Sequence, residues 1–387
     1  MLFPDGQHIG HSLPTAKVLA VSRFSTFAAS LNAATLDEFN RILTVDWQQK
    51  LSTLFEILGI DPDNFHSLLG QLDLSLEEMI IYPQNDSRIA KLLDDPTFSS
   101  AVFANLVEKK AIIKTYLEQQ GYAPEKKIGV VDIGWRGSIQ DNLARIVPEC
   151  ESVGYYLGLY ASDDRQLPNT TKHAFGPDRR YEKYPESFET YEPLELLCNS
   201  SNGSVVGYQD KNGAIFPLRR TNDEENAVFD NFTVQFQNGV VHAARLQRSL
   251  LASHAVMSQE MRDMGLSIWE KIISRPIEQL IKAYHATPQH DVFGTGNYIE
   301  RGQAPSITHI LTAVINNRRR HEVIQYIRRT QWTEALHGLN IGRFHKFILI
   351  GIFFLAHQYK RRIILRKKIS KPNPIRPNRN RRPKRIL

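Results

Sequence analysis

Residues 126–143 read Lys-Lys-Ile-Gly-Val-Val-Asp-Ile-Gly-Trp-Arg-Gly-Ser-Ile-Gln-Asp-Asn-Leu. Residues 128–133 form a short apolar run rich in β-branched side chains, which is typical of a buried parallel strand. A tight Gly-Trp-Arg-Gly loop follows. Ser138 and Asp141 then have the spacing of a capping box, so we expect a helix to begin there. The order strand, glycine loop, helix predicts a turn whose backbone N–H groups point to one place.

Such a turn suits a phosphate or a nucleotide diphosphate. The spacing Gly-x-x-Gly-Ser lacks the third glycine of a dinucleotide fingerprint and the lysine of a P-loop. The glycines of 134–138 therefore either approach a ligand or merely permit positive φ in a plain strand-to-helix turn. Asp132 would repel a phosphate at short range. It fits better as an acceptor for sugar hydroxyls, as a ligand of a divalent cation such as Mg²⁺, or as the partner of Arg136.

The composition of the 387-residue chain is that of a globular protein that can bury a substantial core. Its two cysteines, Cys150 and Cys198, provide neither a disulfide framework nor metal-binding spacing. The 13 histidines show no zinc-binding motif either. We therefore predict no metal site of the structural kind. With no signal peptide visible in the sequence, we expect a cytoplasmic protein.

The net charge of +7 is unevenly distributed along the chain. Thirteen of the 48 Lys and Arg residues fall within 360–385, which contains no acidic residue. The rest of the chain carries 35 basic and 41 acidic residues and is mildly acidic. This distribution argues against a nucleic-acid-binding body, and we predict no nucleic-acid partner.

The order of the predicted elements indicates an α/β protein. We expect strands over 16–22, 128–133 and 152–160, with the helix that begins at Ser138 joining the last two in a βαβ unit. Residues 161–185 are polar and rich in turn formers, and we predict a long loop there. Such a loop lies over the carboxyl edge of the sheet, where open α/β sheets bind ligands.

We predict a Rossmann-like parallel sheet with a helical N-terminal insertion and a mostly helical C-terminal region. Domain 1–220 holds the sheet, the insertion at 35–120, and a hairpin centred on the Asp-Lys-Asn-Gly turn at 210–213. Residues 221–345 form a helical domain. We expect residues 346–387 to form an apolar helix and a basic disordered tail.

The C-terminal region has two interpretations. Residues 347–356 are apolar all round, but about 20 residues are needed to cross a bilayer. They form either a buried helix followed by a solvated tail, or an interfacial helix held to anionic lipid by the polybasic flank. In the second case residues 346–387 are the membrane contact, and the protein is peripheral on the inner face of the membrane.

Several sequence blocks resemble the C-terminal region of large bacterial proteins encoded with surface-polysaccharide genes. Those proteins are labelled hydrolases of the haloacid-dehalogenase superfamily or glycosyltransferases. The resemblance spans roughly residues 15–340, and Asp-Ile-Gly-Trp-Arg-Gly-Ser is its most specific part. The blocks are 21–23, 131–140, 154–158, 195–197, 203–208 and 332–335.

The resemblance implies a role in capsule- or O-antigen-type polysaccharide biosynthesis. The hydrolase label depends on an Asp-x-Asp motif after a strand, whereas Asp61-Pro62-Asp63 lies between two predicted helices and Gly134 replaces the second aspartate after Asp132. Three functions stay open. They are a glycosyltransferase-like protein that binds a nucleotide sugar or phosphosugar at 134–138, a non-catalytic scaffold of polysaccharide assembly, and a dehalogenase-related hydrolase.

Further candidate residues lie outside the glycine loop. Glu192 and Glu195 stand in Tyr-Glu-Pro-Leu-Glu, which resembles the ribose-holding stretch of retaining glycosyltransferases, although Pro193 also suits the first turn of any helix. Trp135 and Arg136 protrude to stack on a base or sugar, or else pack over the first helix.

Arg23 offers a cation for a diphosphate, and a general base is available in the predicted 161–185 loop. The predicted substrate-binding residues are Arg23, Asp132, Gly134, Trp135, Arg136, Gly137, Ser138, Gln140, Glu192 and Glu195. The candidate catalytic residues are Asp132, His173 and Asp178.

Overall fold

The computed structural model describes residues 16–44, 48–160, 166–181, 184, 188, 190–253, 258–290, 298–299, 303–330 and 332–355. The chain divides into two compact units, 1–301 (unit 1) and 302–387 (unit 2). This division differs from the predicted boundaries at 220 and 345. The glycine loop and every predicted site residue belong to unit 1.

Unit 1 begins with a helical layer, as the insertion at 35–120 predicted. Its helices begin at well-capped residues: the Thr35 hydroxyl accepts from the N–H of Glu38, and the Asp95 carboxylate caps a helix with Pro96 at its first position. The core of this layer includes the buried rings of Phe39, Phe55 and Phe98. The elements are α1 (Arg23–Phe27), α2 (Leu36–Leu43), β1 (Gln48–Lys50), α3 (Leu51–Leu58), α4 (His66–Gln71), β2 (Met79–Ile81), α5 (Ser87–Asp94) and α6 (Pro96–Gln119).

A three-stranded parallel sheet follows, in the order β3 (Lys127–Asp132), β4 (Glu151–Tyr156), β5 (Thr170–Ala174). Helix α7 (Ser138–Ile146) joins β3 to β4, so the predicted parallel strand–helix–strand unit is confirmed. The prediction of an unbroken loop over 161–185 is wrong, because β5 lies within it.

Strand β3 is at an edge of the sheet and is not buried, contrary to our prediction. Alternate residues are exposed, and Val131 is 85% exposed. The predicted strand at 16–22 is also wrong, since no strand forms there. That segment runs beside a hairpin instead: the Ser22 hydroxyl donates to the Val205 carbonyl, and the Tyr208 hydroxyl donates to the Ala20 carbonyl at 3.0 Å.

The hairpin predicted at the Asp-Lys-Asn-Gly turn is confirmed. Asn212 and Gly213 both have positive φ, 55° and 85°, as a tight two-residue turn requires. Helices predominate after the hairpin, with a break at 275–277. The elements are α8 (Glu192–Leu197), β6 (Ser204–Lys211), β7 (Ala214–Arg220), α9 (Asp223–Val228), α10 (Val234–Ser253), α11 (Ser258–Ser274), α12 (Glu278–Ala286), β8 (Gln289–His290) and β9 (Tyr298–Ile299).

Unit 2 is helical where it is described. It contains α13 (Ile307–Thr312), α14 (Asn317–Thr330), a 3₁₀ helix (Thr333–Gly338) and a helix over 343–355. Leu336, Leu339, Leu349 and Phe353 form part of its core. Within the described ranges, no helix combines the length and apolar character needed to cross a membrane. Residues 356–387, which include the whole basic segment 360–385, lie outside the described residues.

Candidate functional site

Five side chains of unit 1 lie near one another at the carboxyl edge of β3. They come from the start of α1 (Arg23), the end of β3 (Asp132), the glycine loop (Arg136) and the start of α8 (Tyr191, Glu195). We call this group the carboxyl-edge site. Tyr191 is the one member of this group that is not among the predicted substrate-binding residues.

Packing between α1 and α7 brings Arg23 to the site. The Asn142 side chain of α7 is buried, donates to the Thr26 hydroxyl at 3.0 Å and accepts from the Ser30 hydroxyl at 3.2 Å. At the start of α1, Ser22 and Ser25 form a reciprocal capping box, with both N–H···O distances at 3.0 Å. Arg23 is therefore the first residue of a helix whose position and start are both fixed.

Trp135 positions Glu195. Its indole N–H donates to a Glu195 carboxylate oxygen at 2.8 Å. The ring is only 7% exposed and packs against Tyr160, Tyr191 and Trp269, with ring centroids 4.9 to 5.5 Å away. The prediction that Trp135 protrudes to stack on a base or sugar is wrong. The structure favours a packing role, but the three ring partners lie outside α1, over which the alternative placed Trp135.

The electrostatics of the site centre on Arg23. Burial lowers the pKa of its guanidinium, Glu195 raises it, and Arg136 lowers it further. Two guanidinium groups from segments more than a hundred residues apart are therefore close enough to interact. We call Arg23 and Arg136 the arginine pair. Arg136 is exposed to solvent, whereas Arg23 is half-buried.

Asp132 is a half-buried carboxyl group beside this pair. Burial raises its pKa, while the Ile133 N–H, which donates to it at 2.7 Å, and Arg23 both lower the pKa. The same neighbourhood includes Cys198 at the end of α8. Desolvation by the surrounding protein raises the pKa of this thiol, although the residue as a whole is exposed, and Glu195 and Asp132 raise the pKa further. Sequence reasoning missed Cys198 because its spacing matched no motif.

The glycines of the loop are required by packing within the protein. A Cβ on Gly134, which has φ of 134°, would collide with the Gly158 carbonyl oxygen. Gly137 has φ of 69°, and a Cβ there would lie 2.8 Å from the Tyr156 hydroxyl. These contacts support the interpretation of a strand-to-helix turn. Gly137 is also the N-cap of α7, so the predicted capping box at Ser138 is wrong.

Lys172 of β5 holds the glycine loop in place. Its ammonium group donates to an Asp141 carboxylate oxygen at 2.6 Å and to the Arg136 backbone carbonyl at 3.1 Å. The two charged side chains are only 6% and 18% exposed. Sequence reasoning assigned Asp141 to a capping box and missed Lys172, because it lies in the strand that was predicted as a loop.

Gln140 and Glu192 are buried within the fold. The Gln140 amide donates to the carbonyls of Ser152 and Thr171 at 3.1 and 3.2 Å and accepts from the Tyr156 hydroxyl at 2.7 Å. A Glu192 carboxylate oxygen accepts from the Tyr191 N–H at 3.2 Å. The contacts of Gln140 occupy its amide group without a ligand, so they give no support for direct substrate contact by this residue. The substrate-binding role of Glu192 stays a prediction. Ser138 is half-buried in the first turn of α7.

The two candidate bases in the predicted loop do not join the site. His173 pairs in register with Tyr155 and stacks on its ring at 5.7 Å. Asp132 pairs with Tyr156, the next residue along β4, so His173 projects from the opposite face of the sheet. Asp178 binds Arg180 through both carboxylate oxygens at 2.8 and 2.7 Å. The general-base role predicted for these residues finds no support.

In the part of the chain that the structure describes, no three His, Cys, Asp or Glu side chains group together as metal ligands. Mg²⁺ at Asp132 stays a prediction, and the ion would need phosphate oxygens or waters to complete its coordination. No protein-family model matches the chain, and no curated protein matches it.

Proposed function

We propose that unit 1 binds the phosphate or diphosphate group of a nucleotide sugar or phosphosugar at the arginine pair. The protein then acts as a cytoplasmic, glycosyltransferase-like member of a capsule- or O-antigen-type biosynthetic system. The observation that carries the proposal is the approach of Arg23 and Arg136 at the carboxyl edge of a parallel sheet. Ligands of open α/β sheets bind at that edge. The parallel β3–α7–β4 unit supports our proposal that the sheet is Rossmann-like.

The arginine pair favours an anion with several oxygens. The two guanidinium groups repel each other, and Glu195 and Asp132 offset part of their charge. A bound phosphate reduces the remaining repulsion and accepts charge-assisted hydrogen bonds from both arginines. Among the described residues no side chain caps α7, whose N-terminus follows Arg136 by two residues. The N–H groups of this first turn add to the attraction for an anion.

The two carboxylates of the site suit the sugar part of the ligand. Glu195 has its position fixed by Trp135, and Asp132 lies beside Arg23. Carboxylates accept hydrogen bonds from ribose or hexose hydroxyls, whereas either would repel a phosphate placed directly against it. The resemblance to surface-polysaccharide proteins supports a sugar in this position. If transfer occurs at this site, Asp132 and Glu195 are the groups available for proton transfer.

A non-catalytic scaffold is the second candidate. It is favoured by one observation: neither His173 nor Asp178 reaches the site, so the predicted general bases are absent from it. The hydrolase alternative has less support. The single Asp-x-Asp motif serves as a cap, because the Asp61 carboxylate accepts from the Asp63 N–H at 3.0 Å.

A thermal-shift screen tests the proposal. Nucleoside diphosphates, nucleotide sugars and sugar phosphates are tested with and without Mg²⁺. A ligand at 100 times its Kd stabilises a protein by about 2.7 kcal/mol, which is readily detected. We expect stabilisation by a diphosphate-containing compound. No stabilisation by any compound, at concentrations up to the millimolar range, would contradict the proposal.

Two assays on the same samples separate the three functions. Release of nucleoside diphosphate from a nucleotide sugar indicates transfer or donor hydrolysis. Release of inorganic phosphate from a sugar phosphate indicates a hydrolase. Binding without turnover in either assay, including in the presence of candidate acceptors, indicates the scaffold.

A further inference from the structure

The helix over 343–355 in unit 2 has an uncovered aromatic face. Phe344, Phe347, Phe354 and Leu355 are between 62% and 75% exposed. Positions 344, 347, 351, 354 and 355 lie on one side of a helix because their spacing follows the 3.6-residue period. Gly351, in the middle of this side, has open space around its Cα. We call these five positions the aromatic face.

The opposite side of the same helix is firmly packed. Leu349 is fully buried and Phe353 is 7% exposed, and both belong to the core of unit 2 with Leu336 and Leu339. Lys346 adds a hydrogen bond from its ammonium group to the His337 carbonyl at 2.7 Å. The aromatic face is therefore presented by an anchored helix. Three exposed phenylalanines on one face are more than scattered surface apolar residues explain.

The charge of the neighbouring sequence selects the occupant of this face. Arg343 and Lys346 are in the first turn of the helix, and residues 360–385 carry 13 Lys and Arg with no acid. A second copy of the chain would bring the same positive charge toward itself. An anionic surface neutralises that charge and, if it is a lipid surface, also accepts the phenylalanine rings.

We propose that the aromatic face binds an anionic lipid surface, with the helix over 343–355 lying in the interface. The rings enter the boundary between head groups and acyl chains, and the positive charge of the following sequence adds to the attraction for anionic lipid. The described part of the helix has 13 residues, fewer than the about 20 that a membrane span requires. The proposal rests on unit 2 and the tail alone, so it is independent of the proposed phosphate site.

Co-sedimentation of the full-length protein with vesicles tests the proposal. The vesicles are phosphatidylcholine alone and phosphatidylcholine with 30% phosphatidylglycerol, about the level at which anionic lipid gives a marked surface potential. We expect binding to the anionic vesicles that weakens as salt rises from 50 to 500 mM, because the Debye length falls over that range from about 14 to 4 Å.

Two variants separate the rings from the charges. Phe347→Ser with Phe354→Ser should weaken binding at least about tenfold, since each ring loses its transfer into the lipid boundary. The matched control is Phe103→Ser with Val107→Ser, which removes two exposed apolar side chains from α6 of unit 1 and should leave binding unchanged. Replacing Lys360, Arg361 and Arg362 by Gln should weaken binding only to the anionic vesicles.

Three results would overturn the proposal. They are no binding to anionic vesicles at 50 mM salt, equal binding to neutral and anionic vesicles, and equal binding by the parent and the Phe347→Ser, Phe354→Ser variant. Light scattering adds a fourth. If the parent is a dimer that binds no vesicles, and the double variant is a monomer, then the aromatic face contacts a second copy instead. Far-UV circular dichroism establishes that each variant is folded.

Discussion

Replacing Lys172 by Met should destabilise unit 1 strongly and loosen the glycine loop. The Lys172 ammonium group lies 2.6 Å from an Asp141 carboxylate oxygen and 3.1 Å from the Arg136 carbonyl, and its side chain is only 6% exposed. The methionine leaves the Asp141 carboxylate without this cation in a site where it is 18% exposed. Removing one partner of a buried ion pair costs about 3 to 5 kcal/mol. The partial exposure of Asp141 places the expected loss at the lower end, about 3 kcal/mol.

Urea unfolding followed by tryptophan fluorescence measures this loss, because Trp135 and Trp269 are buried together in unit 1. The matched control is Lys50→Met. Lys50 forms an ion pair of similar length, 2.8 Å, but its partner Glu77 is 75% exposed. A surface pair of this kind contributes less than about 1 kcal/mol. The two variants thus remove ion pairs of nearly equal N–O distance that differ in burial.

A double-mutant cycle with Asp141→Asn isolates the pair. The double variant should lose at least about 1 kcal/mol less unfolding free energy than the two single changes added together, because asparagine at position 141 carries no charge that needs a partner. If Lys172→Met costs no more than Lys50→Met, or if the single effects add, then the loop is not held by this ion pair and our description of the site is wrong.

Three further changes test other parts of the site. Gly134→Ala should lower the free energy of unfolding by more than about 2 kcal/mol, since the new Cβ meets a backbone carbonyl. Gly121 also has positive φ but has open space around it, so Gly121→Ala should cost less. Equal losses in the two variants would refute the steric argument. Burial raises the pKa of Asp132, so the folded state loses stability as pH rises through that pKa. Asp132→Asn should therefore be more stable than the parent at pH 8. It should lose this advantage as pH falls toward about 4. Thermal melts over that pH range check this, and a pH-independent difference would contradict it. Tyr156→Phe removes the donor to the buried Gln140 amide oxygen and should lower the free energy of unfolding by about 1 to 2 kcal/mol. Phosphate binding should not change. A loss of binding at unchanged stability would place the hydroxyl in the ligand site.

The parallel unit around α7 was predictable because its signals are local. The β-branched run of β3 is typical of a strand, and the glycines that follow it are typical of a turn into a helix. The Asp-Lys-Asn-Gly hairpin was predictable for the same reason, since few residues other than Asn and Gly adopt its positive φ values.

The missed elements depend on the three-dimensional context. Strand β5 reads Thr-Thr-Lys-His-Ala and lacks the alternation of apolar and polar residues that marks a strand. Lys172 and His173 lie on opposite faces, and their partners are the polar Asp141 and the aromatic Tyr155. The apolar segment before Arg23 has the composition of a strand, yet it contacts the β6–β7 hairpin through side-chain hydroxyls. Pattern alone does not distinguish these two cases.

For the site, the sequence indicated the region better than the role of each side chain. Arg23, Asp132, Arg136 and Glu195 do lie near one another, because the ends of α/β elements meet at the carboxyl edge of a sheet. The orientation of Trp135 could not be predicted, since it depends on rings contributed by α8 and α11, distant in sequence.

Calorimetric titration with inorganic pyrophosphate and with the best-binding nucleotide sugar tests the central claim most directly. Arg23→Gln and Arg136→Gln each remove one charge-assisted hydrogen-bond donor set worth about 1.5 to 3 kcal/mol, so each should raise Kd for both ligands by about 10- to 100-fold. Arg245→Gln, on the exposed surface of α10, serves as the matched control and should leave Kd unchanged. Equal Kd values for the parent and both site variants, with all proteins folded, would contradict the assignment of the arginine pair as the phosphate-binding site.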